Sequence, residues 1–366
     1  MAAGLAPSYL LPWAHEVFLG RVIAGHVPCG GRVCPVAESV VLETPFFSLR
    51  RFTFERPAAA PRLLLVAPLS GIRALVLYDM LSGLLPEFDL HVLFWADPVN
   101  IPAVEGPFSL ADNIASVLAA LRGLGAGTHL LGLCQSALPA LAATALLAAE
   151  AKPPHPASLM LLGGKLDTSI NPARVDILMR RYSREEFLSQ VLSRVPAFEP
   201  GHGRLVYPAH LQEMMMLAYL SRHMLSGGEV FRKMLHDDGG DIEEHPFIRL
   251  LLSAVDIPGE FFLDTQAQVF RDNTLARGRM TWHGRAVDPG AITRTALLTI
   301  EAAQDDIAGR GQTHAAHALC RALPETLRAH HMQEGIGHFG LFHGTVWRAA
   351  ILPRLCAFTA AHPGSG

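Results

Sequence analysis

Five residues, Gly132-Leu133-Cys134-Gln135-Ser136, set a thiol between small neighbours two positions to either side. A residue on a sharp strand-to-helix turn has its side chain pushed out above the sheet, and only small flanking residues leave space for so strained a turn. The same cysteine, in so apolar a run, also reads as a small buried hydrophobe. What separates the two readings is company, because a nucleophilic thiol needs a base to make thiolate and an acid to orient that base. The run TALLTIEAAQDD (295–306) ends in Asp305 and Asp306. After an expected helix over 315–323 and a short strand RAHHMQ comes EGIGHFG, with His338 between glycines on what reads as a flexible, exposed loop. Of 18 histidines, His338 alone combines the order nucleophile, acid, histidine with loop chemistry. Either aspartate suits the spacing. Two backbone donors could hold an oxyanion: the N–H of Gln135, at the positive end of the following helix, and the loop PLSG (68–71) through Ser70, which also reads as a plain turn.

These groups need elements to carry them. The segment HLLGLCQSALPALAATALLAAE (129–150) runs about twenty residues without a charge. A membrane span would need one helix across Gly132 and Pro139 with no anchoring residues. Strand, turn and helix fit better, with Pro139 near the first helical turn, where its missing N–H costs least. Similar apolar runs, ESVVLETP (38–45), RLLLVAPLSG (62–71), FDLHVLFWAD (88–97) and ASLMLLGG (157–164), read as buried parallel strands. SLADNIASVLAALRGLG (109–125) is a helix capped by Ser109 and closed by Gly123 and Gly125. The alternation predicts an α/β fold with a mostly parallel sheet. It breaks between about 170 and 290, where HLQEMMMLAYLSRHML and HPFIRLLLSAVDIPGEFFLDTQAQVF look helical, with no clear strand. The predicted organisation is a core of residues 1–165 and 291–366 with a helical lid over 166–290. Met214–Met216 read as adaptable core packing, or as a wall of an apolar groove.

A net charge of −3 over 366 residues argues against nucleic-acid binding. The five cysteines are odd in number and scattered, which argues against a disulfide framework. Cys29 and Cys34 lack a second ligand pair, and HDDGGDIEEH (236–245) reads as a solvated loop, so no metal is assigned. The N-terminal residues lack a basic region before their apolar run, no transmembrane segment is expected, and the cytoplasm is the expected compartment.

VAPLSG (66–71), EGPFSLADNI (105–114), LCQSALPALAA (133–143), GGKLDTSINP (163–172), GRMTWHGRAVDP (278–289), LLTIEAAQDDIAGRGQT (297–313) and EGIGHFGLFHG (334–344) together resemble the bacterial intracellular polyhydroxybutyrate depolymerases, of the α/β-hydrolase superfamily. The resemblance runs from about residue 38 to the C-terminus. It implies an α/β-hydrolase fold with Cys134 as nucleophile, Asp305 as acid and His338 as base, Asp306 remaining an alternative acid. It further implies polyester cleavage through a thioester, association with polyhydroxyalkanoate granules, and water or coenzyme A as acyl acceptor, with no cofactor. Oligomeric state is left open. Two departures stand out: Ser136 where the family usually has proline, and a shorter N-terminal region holding Cys29 and Cys34. Polyhydroxyalkanoate synthases share the Cys, Asp and His, but their cysteine lies in a Gly-rich box unlike CQSALP. A granule-binding protein without catalysis would have little reason to keep all three residues.

Overall fold

The computed structural model describes residues 23, 25–29, 32–56, 60–70, 77–151, 154–215, 218 and 254–364. A hairpin of β1 (His26–Cys29) and β2 (Arg32–Pro35) precedes an eight-stranded sheet. The sheet uses β3 (Ala37–Glu43), β4 (Phe47–Thr53), β5 (Arg62–Val66), β6 (Asp89–Trp95), β7 (His129–Leu133), β8 (Ser158–Leu162), β14 (Ala296–Ala302) and β15 (Arg328–Gln333). Their order is β15-β14-β8-β7-β5-β6-β4-β3. Every neighbouring pair from β6 to β15 is parallel, while β4 pairs antiparallel with both β3 and β6.

The central strands lack polar alternation because both faces are covered. On one face Leu64, Val66, Leu130, Leu159, Leu161 and Leu297 pack with α2 (Leu110–Leu124) and α3 (Ala137–Ala148). On the other, Leu63, Leu65, Leu131, Leu133, Met160 and Leu162 pack with α1 (Tyr78–Leu84) and the C-terminal α8 (Leu352–Ala361). Ser109 and Asp112 close a reciprocal capping box on α2, and Gly125 ends it with φ +87°. In α3 every residue from Ala137 to Leu147 is buried, so the long uncharged stretch belongs to the core. Among the described residues no helix is long and apolar enough to cross a membrane.

Between β8 and β14 lie α4 (Arg174–Arg181), α5 (Arg184–Gln190) and α6 (Gly259–Thr265). This stretch also contains strands, contrary to the sequence expectation: β9 (Ser193–Arg194), β10 (Leu205–Tyr207) and β11 (Ile257–Pro258) form a three-stranded antiparallel sheet, and β12 (Thr281–Trp282) pairs with β13 (Arg285–Ala286). Strands of two or three residues are too short to leave a readable period. Arg204 ties this stretch to the core: its buried guanidinium donates to the carbonyls of Ile101, Pro102 and Gly106 at 3.0, 2.6 and 2.5 Å. The acidic loop 236–245 and Met216 lie outside the described residues, whereas Met214 and Met215 are exposed.

Two further expectations need correction. ESVVLETP forms an exposed antiparallel edge strand rather than a buried parallel one, because among the described residues β3 is the outermost strand of the sheet, beyond β4. The helix expected over 315–323 is α7 (Ala315–Leu319), cut short where Cys320 takes a non-helical conformation.

Candidate active site

β7 ends at Leu133, and the chain turns through Cys134–Ser136 straight into α3. Cys134 has φ +47°, a left-handed conformation costly for any residue with a Cβ, and such strain survives only where the surroundings over-determine it. Ser136 supplies part of that constraint. Its buried hydroxyl accepts the Leu133 N–H at 2.8 Å and donates to the Val66 carbonyl of β5 at 2.7 Å. The departure at Ser136 is thereby explained: its φ of −77° also suits proline, and the serine substitutes hydrogen bonds for a rigid ring. Gly132 lets helix and strand close up, since a Cβ there would lie 2.9 Å from the Ala140 Cβ. A Cβ on Gly164 would come within 2.2 Å of Ala137, so the segment after β8 presses on the same turn.

Asp305 and His338 reach this turn from the loops after β14 and β15. Asp305 Oδ2 lies 2.7 Å from His338 Nδ1, while its Oδ1 accepts the N–H groups of Ile307 at 2.8 Å and Ala308 at 2.7 Å. The carboxylate is thus fixed on both oxygens. Of the two candidate aspartates, Asp305 is the one that meets the imidazole; Asp306 follows it, partly buried. His338 Nε2 is buried with no hydrogen-bond partner, and the neighbouring Cys134 acts on the ring electrostatically.

His338 is not exposed, contrary to the sequence expectation, although Glu334 and Gly335 earlier in its loop are: side-chain exposure is 3% for His338 and 2% for Asp305. Phe339 and Phe342 stand edge-on to the ring at 5.6 and 5.7 Å, so the aromatics of HFGLFHG fold over the imidazole. Gly163 completes the seat. It has φ +56°, and a Cβ there would lie 3.1 Å from His338 Cε1.

Electrostatics follow from this burial. Desolvation pushes the Cys134 thiol up, but the electrostatic influence of the neighbouring His338 outweighs burial and leaves the thiol below its ordinary value. For His338, burial pulls downward, yet the Asp305 carboxylate and Cys134 raise it well above the usual imidazole range. Both shifts favour a thiolate–imidazolium pair.

The proposed oxyanion loop follows β5. Trp95 Nε1 donates to the Ala67 carbonyl at 2.6 Å, and the Leu69 N–H donates to Gln135 Oε1 at 2.8 Å. Ser70 comes next, half-buried, while Gly71 is outside the described residues. Sequence reasoning used only the backbone of Gln135; its side chain, which ties the turn to this loop, went unread. Lys165 was also missed. Its ammonium donates to Asp176 of α4 and to the Ile307 carbonyl beside Asp305, and lies 5.6 Å from the centre of the Phe270 ring. The available signal was a lone cation straight after Gly163-Gly164.

Parallel strands that deliver their loops to one edge in this order define the α/β-hydrolase fold, and the protein is a carboxylic ester hydrolase. Residues 163–363, more than half of the chain, match the family described as PHB de-polymerase C-terminus, and the chain belongs to that polyhydroxybutyrate depolymerase family. The match includes Asp305 and His338 and begins after Cys134. No curated protein matches the chain. Among solved structures it is similar to a bromoperoxidase from Bacillus anthracis, with 9% identity, TM-score 0.52, and coverage of 89% of this chain and 99% of that one. It is also similar to a hydrolase from Pseudomonas aeruginosa PA01, with 17% identity, TM-score 0.49 and coverage of 88% and 97%. A thermophilic esterase from Thermogutta terrifontis has 15% identity, TM-score 0.47 and coverage of 92% and 97%. Likeness at these identities is one of fold.

Proposed function

We propose that the protein cleaves the ester bonds of polyhydroxyalkanoates by covalent catalysis at Cys134. The observation that carries this reading is the buried line from Asp305 through His338 toward the Cys134 thiol. The Cys134 thiolate attacks the ester carbonyl, and the amides of Gln135 and Ser70 receive the oxyanion, each donor contributing about 3 kcal/mol in a comparable site. His338 protonates the departing alkoxide while Asp305 holds its ring. His338 then deprotonates the incoming water, or the thiol of coenzyme A, which releases the hydroxyacyl group from the thioester. The stretch between β8 and β14 serves as a lid over the substrate, and the polymer of intracellular granules is the physiological substrate.

The test is incubation with short 3-hydroxybutyrate oligomers and with amorphous granules, with products identified with and without coenzyme A. Free hydroxyacids, or hydroxyacyl thioesters when coenzyme A is supplied, are expected. Cys134→Ala and His338→Ala should each lower turnover by on the order of 10⁴–10⁶-fold. Retained turnover in either variant refutes the triad. Polymer formed from hydroxyacyl-coenzyme A would identify a synthase instead, and no turnover of any ester would leave only a granule-binding role.

A further inference from the structure

We propose that His314, His317 and His330 form a binding site for a borderline divalent transition cation, zinc being its representative, at the exposed edge of the sheet. The three rings come from two elements. His314 caps the N-terminus of α7 and His317 lies one turn on, at the i,i+3 spacing that puts both on one face. His330 lies on β15, the edge strand, paired in register with Thr299 of β14.

One candidate ligand atom from each ring lies within 4.8 Å of the other two. In a tetrahedral zinc site, with Zn–N bonds near 2.0–2.1 Å, such atoms stand about 3.4 Å apart. His314 and His330 are both exposed, so an ion can reach the cluster from solvent, and small movements of the rings would close the difference.

Hydrogen bonds to neighbouring groups orient the rings, as they commonly do around metal ligands. The buried Thr299 hydroxyl lies 2.8 Å from His317 Nε2 and 2.8 Å from His330 Nδ1 and so bridges the two rings. Glu301, also buried, accepts the N–H groups of Gly311, Thr313 and His314, which fixes the start of α7 against β14. Arg328, a neighbouring cation, has its guanidinium committed to the carbonyls of His317, Cys320 and Leu323. Three imidazoles without a carboxylate select zinc, copper or nickel over magnesium or calcium. The fourth position falls to water.

An ion held here would clamp α7 to β15. These are the elements that follow the loop of Asp305 and precede the loop of His338. Its expected effect is therefore on the rigidity of that edge.

The test uses the full, untagged chain, freed of metal by chelator and titrated with cobalt(II) and then zinc. One cobalt per chain is expected, with ligand-field absorption and without the sulfur-to-cobalt charge-transfer band that a cysteine ligand would give. Zinc should displace the cobalt and raise the melting temperature. His314→Ala and, separately, His330→Ala should weaken binding by at least about tenfold, the lower end for losing even an outer partner of a metal ligand. Unchanged oligomer hydrolysis by both variants without metal would show that they fold. Absence of saturable binding, a charge-transfer band, or undiminished affinity in folded His314→Ala would overturn the site.

Discussion

Burial normally keeps a thiol protonated, and a cysteine held in the dark of a core is inert. Cys134 differs because its partner is an imidazole that Asp305 keeps charged. The sign is definite: thiolate appears as pH rises through the lowered value of Cys134, and the imidazolium is lost as pH rises through the raised value of His338. The two titrate as a coupled pair. Alkylation of Cys134 by iodoacetamide should therefore show an inflection below the ordinary 9.0 of a cysteine, moving upward in His338→Ala. An inflection at or above 9.0 in the unmodified protein would contradict the ion pair. Ser136 acts at the same scale through the backbone. Ser136→Ala removes its bonds to Leu133 and Val66 and should lower stability by about 1–3 kcal/mol, read from denaturant midpoints at unchanged m. This departure from the family was visible in the sequence, but its meaning was not. A serine two residues beyond a cysteine says nothing of Val66, which is distant in the chain and adjacent only across the sheet.

At the scale of elements, glycine marks where segments touch. Gly163 and Gly164 close β8 and divide the work: the first leaves room for the His338 ring, the second for α3. Gly163→Ala meets both a left-handed φ and Leu341 Cδ1 at 2.8 Å, so it should move the imidazole and reduce kcat by more than it changes KM. Steady-state kinetics on short oligomers decides this, an unchanged kcat being the contrary result. The doubly buried strands and the turn at Cys134 were legible because unbroken apolar runs ending in small residues have few other uses. β4, β9, β10 and β11 were not. FSLRRFT carries two arginines that find partners in Glu38 and Asp89, and the shorter strands leave no period. Nor was the burial of His338 legible, since flanking glycines suggest exposure and only Phe339 and Phe342 in place reveal the cover.

Over the whole molecule, one sheet carries apolar cores on both faces, so the described core from β3 to α8 is expected to unfold as a single cooperative unit. Far-UV circular dichroism, tryptophan emission and rapid thiol labelling should be lost together in denaturant. Labelling that changes at markedly lower denaturant would show that the edge of β14 and β15 opens on its own. That Asp305 and His338 come together beside the turn at Cys134 was readable from their order along the chain, because loops at one edge of a parallel sheet are brought together by topology alone.

That topology also has a meaning in time. Synthesis runs from the N-terminus, so β7 and its cysteine leave the ribosome well before β14 and β15 exist. A nascent chain paused between them holds a thiol with no base, buried or dangling, and nothing to ionise it. On the proposed triad, the sulfur would become reactive only when the last strands dock.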